Sequence, residues 1–308
     1  MLTFLPLSTY AQEMNNYVVN VANASSPGFE NTLVGPLAGN ATMINGGSHT
    51  FLGYEAGHAN TTGTVNTFIG SGAGKSNTVG SYNTFLGGRA GQANTIGNYN
   101  AFVGIYAGVH NSLGYRNTFV GSWSGSGNTT GANNVFMGYS VASRNKTGVY
   151  NVALGVRALD SNENGNFNVM IGDSTGFNNT ASRNVFIGSQ SGVNNTAGKV
   201  NTFLGYQSGY NAVADSNTFI GYQSGYSTTL GKGNSFFGAL SGRGNATGNH
   251  NTFVGNSAGP TSSNTDDNVY IRYSTGNHDS GSHNTFLGTG ADAIAQNLTN
   301  ASRWGSFD

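Results

Sequence analysis

The 308-residue chain has no cysteine and little charge: 8% of its residues are Asp, Glu, Lys or Arg, and the formal net charge is zero. Without cysteine there is neither a disulfide framework nor a thiolate metal site. Without a basic excess there is no stripe for a nucleic-acid partner, and a zero balance is not that of a charged disordered tail. No run approaches the roughly 18 apolar residues of a transmembrane helix, so no membrane span is expected. The few carboxylates are scattered, as at Glu55, Asp160, Glu163, Asp173 and Asp215, whereas glycoside chemistry needs a facing pair. The one local cluster is Asp266, Asp267, His278 and Asp279, which reads as a polar loop more readily than as a cation or carbohydrate site. The histidines (His49, His58, His110, His250, His278, His283) show no metal-ligand spacing. Calcium-binding nonapeptide repeats, with an Asp in every turn, are missing. The expectation is a protein that is not an enzyme and uses no cofactor and no metal.

What the chain does have is Gly, 49 residues of it, and a repeat of about seventeen residues. One copy reads Asn83-Thr84-Phe85-Leu86-Gly87-Gly88-Arg89-Ala90-Gly91, continues through Tyr99, and is followed at once by Asn100. The leading Asn recurs from Asn31 to Asn284, with His49 in its place once. The steps 168–184, 201–217 and 268–284 are sixteen residues, and 31–49 is eighteen. Such self-similarity points to stacked supersecondary units. So much Gly makes helices costly, at roughly 1 kcal/mol per residue relative to Ala. The Thr-Phe-aliphatic runs bounded by Gly and Asn read as short strands between turns. The fold class expected is all-β: a parallel β-solenoid, or β-roll, of about sixteen coils of 16–18 residues. At ~4.8 Å per coil this makes a rod on the order of 75 Å long. Each coil has room for two short strands and two turns. The recurring Asn reads as a turn former tolerating a left-handed backbone that also hydrogen-bonds up the stack as an amide ladder.

Two apolar stripes run along the repeat. Phe stands two places after the leading position in twelve of sixteen copies: Phe51, Phe68, Phe85, Phe102, Phe119, Phe136, Phe186, Phe203, Phe219, Phe236, Phe253 and Phe286. The next residue is always apolar, from Val34 to Leu287. Neighbouring strand residues face opposite ways, so one coil interior does not hold both. With the aliphatic stripe inside, the Phe column faces outward and becomes a self-association surface, because monomers rarely expose so large a patch. A homo-oligomer follows, most simply a parallel trimer, or else a filament.

The run Asn151-Val152-Ala153-Leu154-Gly155 is similar to the Val-Ala-Ile-Gly core of the head repeats of YadA-like trimeric autotransporter adhesins. Copies such as Asn201-Thr202-Phe203-Leu204-Gly205-Tyr206-Gln207-Ser208-Gly209 resemble the repeat arrays of secreted Bacteroidota proteins and some phage tail-fibre-like proteins. The resemblance covers about residues 31–290 and implies a left-handed roll, trimeric assembly and exposure outside the cell. The period is longer than in the adhesin heads, Phe replaces their small Ala, and no anchor barrel, stalk or self-cleaving chaperone follows.

Four segments are expected. Residues 1–11 read as a signal-peptide remnant, with an apolar Leu2–Leu7 and a Thr9-Tyr10-Ala11 cleavage site. Residues 12–30 form a lead-in or cap, 31–290 the solenoid, and 291–308 an incomplete coil or truncated tail. The functional expectation is an extracellular or cell-surface rod, structural and adhesive, that displays repeated contacts to a host or environmental glycan or protein. Tyr54, Trp123, Tyr139, Tyr206 and Tyr222, just after the coil Gly, are candidates for surface stacking. The alternatives are a phage tail-fibre or carbohydrate-binding segment, and an ice-binding solenoid. Thr recurs at Thr50, Thr67, Thr84, Thr118, Thr202, Thr218 and Thr252, but Ala101, Val135, Val152, Val169 and Val185 interrupt the column. Four successive Val fit an inward column better than an outward water-ordering one.

Overall fold

The computed structural model describes residues 30–39, 43, 47–259, 264–292 and 298–305. The expected signal remnant and almost all of the lead-in lie outside these residues. The chain divides by contact into two units, residues 1–132 and 133–308. Each is a parallel β-solenoid whose strands are three residues long.

In the first unit the strands are β1 (Thr32–Val34), β2 (Thr50–Leu52), β3 (Thr67–Ile69), β4 (Thr84–Leu86), β5 (Ala101–Val103) and β6 (Thr118–Val120). Each pairs with the next in parallel, Phe51 opposite Phe68 and Phe85 opposite Phe102. The second unit holds β7 (Val135–Met137), β8 (Val152–Leu154), β9 (Val169–Ile171), β10 (Val185–Ile187), β11 (Thr202–Leu204) and β12 (Thr218–Ile220). It continues with β13 (Ser235–Phe237), β14 (Thr252–Val254), β15 (Val269–Ile271), β16 (Thr285–Leu287) and β17 (Ser302–Trp304). Pairing is again parallel and in register. β17 pairs with β16, so the parallel stack includes residues 302–304.

Each coil has one strand, not the two expected. The rest of the coil is broken by left-handed residues. In the coil that begins at Asn83 these are Gly87 (φ 141°), Arg89 (58°), Gly91 (57°) and Tyr99 (59°). Strand dihedrals cannot persist across such points. Coil-to-coil backbone bonding nevertheless continues: Arg89 N–H donates to Ser71 O (2.9 Å), Gly91 to Ala107 O (2.9 Å), Thr95 to Ser112 O (3.0 Å) and Tyr99 to Ser81 O (3.1 Å). Two glycines carry specific steric demands. A Cβ on Gly87 would run into the Gly104 backbone of the next coil, and one on Gly91 would lie 2.5 Å from the Phe85 ring.

The interior is the Phe column. All twelve rings are fully buried, and successive rings such as Phe68 and Phe85 lie 4.8 Å apart, tilted by 8°. This reverses the expected placement of the two stripes. Phe51, Phe68, Phe85, Phe102, Phe119, Phe136, Phe186, Phe203, Phe219, Phe236, Phe253 and Phe286 have no surface left for a partner chain, and the aliphatic residue after each Phe faces outward. The coil is narrow and accepts one ring opposite Gly and a small Ala or Ser. One coil solves the same packing problem in reverse. Ala153 stands in the Phe column, and Leu159, left-handed at φ 56°, stands where the coil before has Ala142 and the coil after has Gly176; both are fully buried.

Two amide ladders line the interior. Asn83 represents the first. Its backbone N–H donates to Asn66 Oδ1 (2.9 Å), its Nδ2 donates to Gly97 O (2.8 Å), and its Oδ1 accepts from the N–H of Asn100 (2.9 Å). In the second ladder Asn77 Nδ2 donates to Asn60 Oδ1 (2.8 Å), Asn94 to Asn77 (2.7 Å), Asn111 to Asn94 (2.9 Å) and Asn128 to Asn111 (2.6 Å). Buried amides must be satisfied in this way. The left-handed residue is the one before the leading Asn, as at Tyr82, Tyr99 and Tyr150, not the Asn itself.

The sixteen-residue steps lose their residue in a turn. Asn168, Asn201 and Asn268 bond to the carbonyls of Ala181, Ala214 and Gly281, 13 residues on, where other coils use 14. Val169 still pairs with Val185, Thr202 with Thr218, and Val269 with Thr285. A deletion inside a strand would have turned the interior ring outward.

Candidate binding surface

The interior Phe sets the orientation of its neighbours: the residues on either side face outward together. The outer face of the sheet therefore carries two columns. One is Thr, Val, Ala or Ser at the first strand position; the other is aliphatic, Met or Phe at the third. Leu52, Leu86, Met137 and Leu204 are 43–44% exposed. Through β1 to β16 neither column contains an ionisable residue. Val135, Val152, Val169 and Val185 also lie on this outer face, half-buried or exposed. The inward Thr/Val column expected from the sequence is thus corrected to an outward one.

The hydroxyls of this face differ from those elsewhere. On another side of the first unit, Thr61, Thr78 and Thr95 each donate their hydroxyl to a carbonyl of the following coil at 3.0 Å. Among the described residues, the hydroxyls of Thr50, Thr67, Thr84 and Thr118 make no intramolecular hydrogen bond.

The aromatic candidates fall in two columns. Tyr206 and Tyr222 stack on each other, centroids 5.8 Å apart. Trp123 belongs to the adjacent column and stacks on Tyr106 at 4.3 Å. Tyr54 and Tyr139 are half exposed, and Ser71 and Val156 hold the equivalent place in the coils after them. Rings that stack along the coil axis cover one another's faces and turn their edges to solvent. A sugar platform needs open faces, so these pairs serve coil cohesion. An aromatic and aliphatic corner escaped the sequence reading: Val65, Tyr82 and Tyr99, beside Val79, Ile96 and Leu113, are all 45–56% exposed. Tyr82 and Tyr99 stack at 4.9 Å with a 1° tilt. The available signal was the residue before each leading Asn.

The four members of the local cluster go to separate partners. Asp267 lies between His250 and His283, its two oxygens each 3.5 Å from a ring nitrogen, all on an exposed corner. Asp266 accepts from Asn249 N–H (2.7 Å) and Nδ2 (3.0 Å). Asp279 is buried in the second Asn column and accepts hydrogen bonds from Gly281 N–H (3.0 Å), Asn284 Nδ2 (2.8 Å) and the Tyr270 hydroxyl. His278 bonds instead to Asp292 (2.6 Å). Burial first, and then Asp279, pushes the Tyr270 phenol well above its usual range. Among the described residues no group of three or more His, Asp or Glu is arranged to hold a metal ion, and no helix is long and apolar enough to cross a membrane.

Compared with known proteins, the chain matches no family model, no curated protein and no solved structure.

Proposed function

We propose that this protein is an extracellular structural and adhesive segment, not an enzyme, that works by repeated weak contacts along its solenoid surface. The observation that supports this reading is the outer sheet face, two uncharged columns renewed at every coil. Contacts on such a face add through avidity: each is weak, but a stiff scaffold makes every further contact intramolecular. The recurring interior groups, Phe and Asn, are spent on holding the coil, which leaves the outer columns as the repeated feature free to meet a ligand. Self-association, if used in assembly, runs through the outer aliphatic column. The test is adhesion of the purified full chain to cells, glycans and solid surfaces, with its mass in solution measured by light scattering. Retention that grows steeply with the number of coils supports the reading. Retention equal to that of a charge-matched globular protein on all of these surfaces overturns it.

A further inference from the structure

The adhesive reading leaves open what the surface meets, and the outer face of the first unit narrows the answer. Successive coils there lie 4.7–4.9 Å apart, as measured by their interior rings. A face that repeats the same pair of side chains at that interval is complementary to a ligand that is itself periodic: a crystal, an ordered polymer or another solenoid. The chemistry then selects among them. Without an ionisable residue on either column, the face has nothing to offer an ionic mineral or a polyelectrolyte. Crystalline polysaccharides are bound by open aromatic faces, and the strand positions of the first unit hold no outward ring.

What the face does present is Thr50, Thr67 and Thr84 on successive coils and, one coil past Ala101, Thr118; their hydroxyls make no intramolecular hydrogen bond among the described residues. Beside them runs the column Leu52, Ile69, Leu86, Val103 and Val120. A β-branched Thr holds its hydroxyl and methyl in few rotamers, and the parallel ladder fixes the spacing. Hydroxyls order bridging water, and the apolar column beside them leaves that water no competing partner. We infer that the outer sheet face of the first unit binds ice, resting on the reading of the chain as an adhesive segment. The Val run in β7–β10 keeps the methyl groups and drops the hydroxyls, so the first unit is the stronger face.

The experiment is partition of fluorescently labelled full chain into a growing ice shell, with freezing hysteresis measured on the same samples. Wild-type protein is expected to enter the ice and shape the crystals. Thr84→Lys, which puts a charge in the middle of the face, is expected to abolish both effects without changing the melting curve by circular dichroism. Ser71→Lys, exposed but off the face, is expected to retain them. If Thr84→Lys fails to fold, the near-isosteric pair Thr67→Val with Thr84→Val tests the hydroxyls alone and should weaken the hysteresis. Exclusion of the wild type from ice overturns the inference, as does full activity in both Thr variants. Binding to crystalline cellulose, or an oligomer that covers the face, without ice partition also overturns it and leaves the adhesive reading standing. Failure on ice and on every other surface overturns both.

Discussion

The Nδ1 atom of His49 accepts the backbone N–H of Asn66 at 3.1 Å, the bond that Asn66 Oδ1 makes with Asn83 one coil later. On the other side of the ring, Nε2–H donates to the Gly63 carbonyl at 2.8 Å, as an Asn amide would. His49 thus reproduces an amide with an imidazole, and only in its neutral form, because a protonated ring has no acceptor. Burial holds its pKa below 6.5, partly opposed by its backbone hydrogen bonds. The unfolded chain therefore takes up a proton that the folded one resists. Stability is intact above the unfolded pKa and is lost as the pH falls below about 6.5.

The first prediction concerns that residue. Amide exchange in the coils around β2 should accelerate as the pH is lowered through that range, after correction for intrinsic rates. His49→Asn should remove the acid dependence and leave the coil at least as stable at neutral pH. An unchanged acid response in His49→Asn would count against the tautomer assignment.

Leu159 and Ala153 should behave as one unit. Leu159→Gly leaves a cavity, an expected cost of about 2–5 kcal/mol, lessened by release of a left-handed Leu worth roughly 1–2 kcal/mol. Ala153→Phe alone overpacks the coil and costs about 1–3 kcal/mol. The double variant recreates the Phe–Gly pairing of coils such as that of Phe85 and Gly91, so the coupling measured by chemical denaturation should be on the order of 1–3 kcal/mol in its favour. Simple additivity would refute the compensation.

Tyr270 and Asp279 form a second compensating pair, a Tyr in the Phe column facing an Asp in the Asn column. Tyr270→Phe removes a donor from a buried carboxylate and should cost roughly 1–3 kcal/mol. Adding Asp279→Asn restores the residues of the other coils and should recover most of the loss in a thermal melt. The phenol's raised pKa has its own consequence. The stability tied to its neutral form is complete below about pH 10 and declines above it, and Tyr270→Phe should flatten that alkaline limb.

Truncating the interior column should weaken the fold and leave assembly alone. Phe85 stacks between Phe68 and Phe102, so Phe85→Ala should cost about 3–5 kcal/mol. The cost is local at first, because solenoid stability is a sum of nearest-neighbour terms. Light scattering of the variant that remains folded should give the wild-type mass. A smaller particle would return the Phe column to the interface.

The coil period, the parallel strands, the amide ladder and the sites of the deletions were all legible in the sequence. Each follows from a residue that recurs at one place, as Asn66, Asn83 and Asn100 do. Which of two adjacent apolar residues points inward was not read correctly. Alternation says that Phe85 and Leu86 face apart, but not which one the coil encloses. The signal was volume. The residue at the Leu86 position varies among Val, Leu, Ile, Met and Phe, which an outer face tolerates and a narrow interior does not. The Phe position is nearly constant, and where it changes to Ala153 the opposite Gly changes to Leu159. The second strand was overcounted for a related reason. Non-Gly residues such as Arg89 and Tyr99 adopt left-handed backbones that composition alone does not announce.

The second amide ladder has a direction. From Asn128 to Asn60 every Nδ2 group donates toward the preceding coil, and at its start Asn60 Nδ2 points to the Met43 sulfur at 3.5 Å. Side-chain dipoles aligned head to tail sum along an axis as peptide dipoles do in a helix. Within the first unit the coil nearest the N-terminus lies at the positive pole and the last coil at the negative one. Over Asn60–Asn128 the first unit thus carries electrically unlike ends that arise from amides and not from ionised side chains.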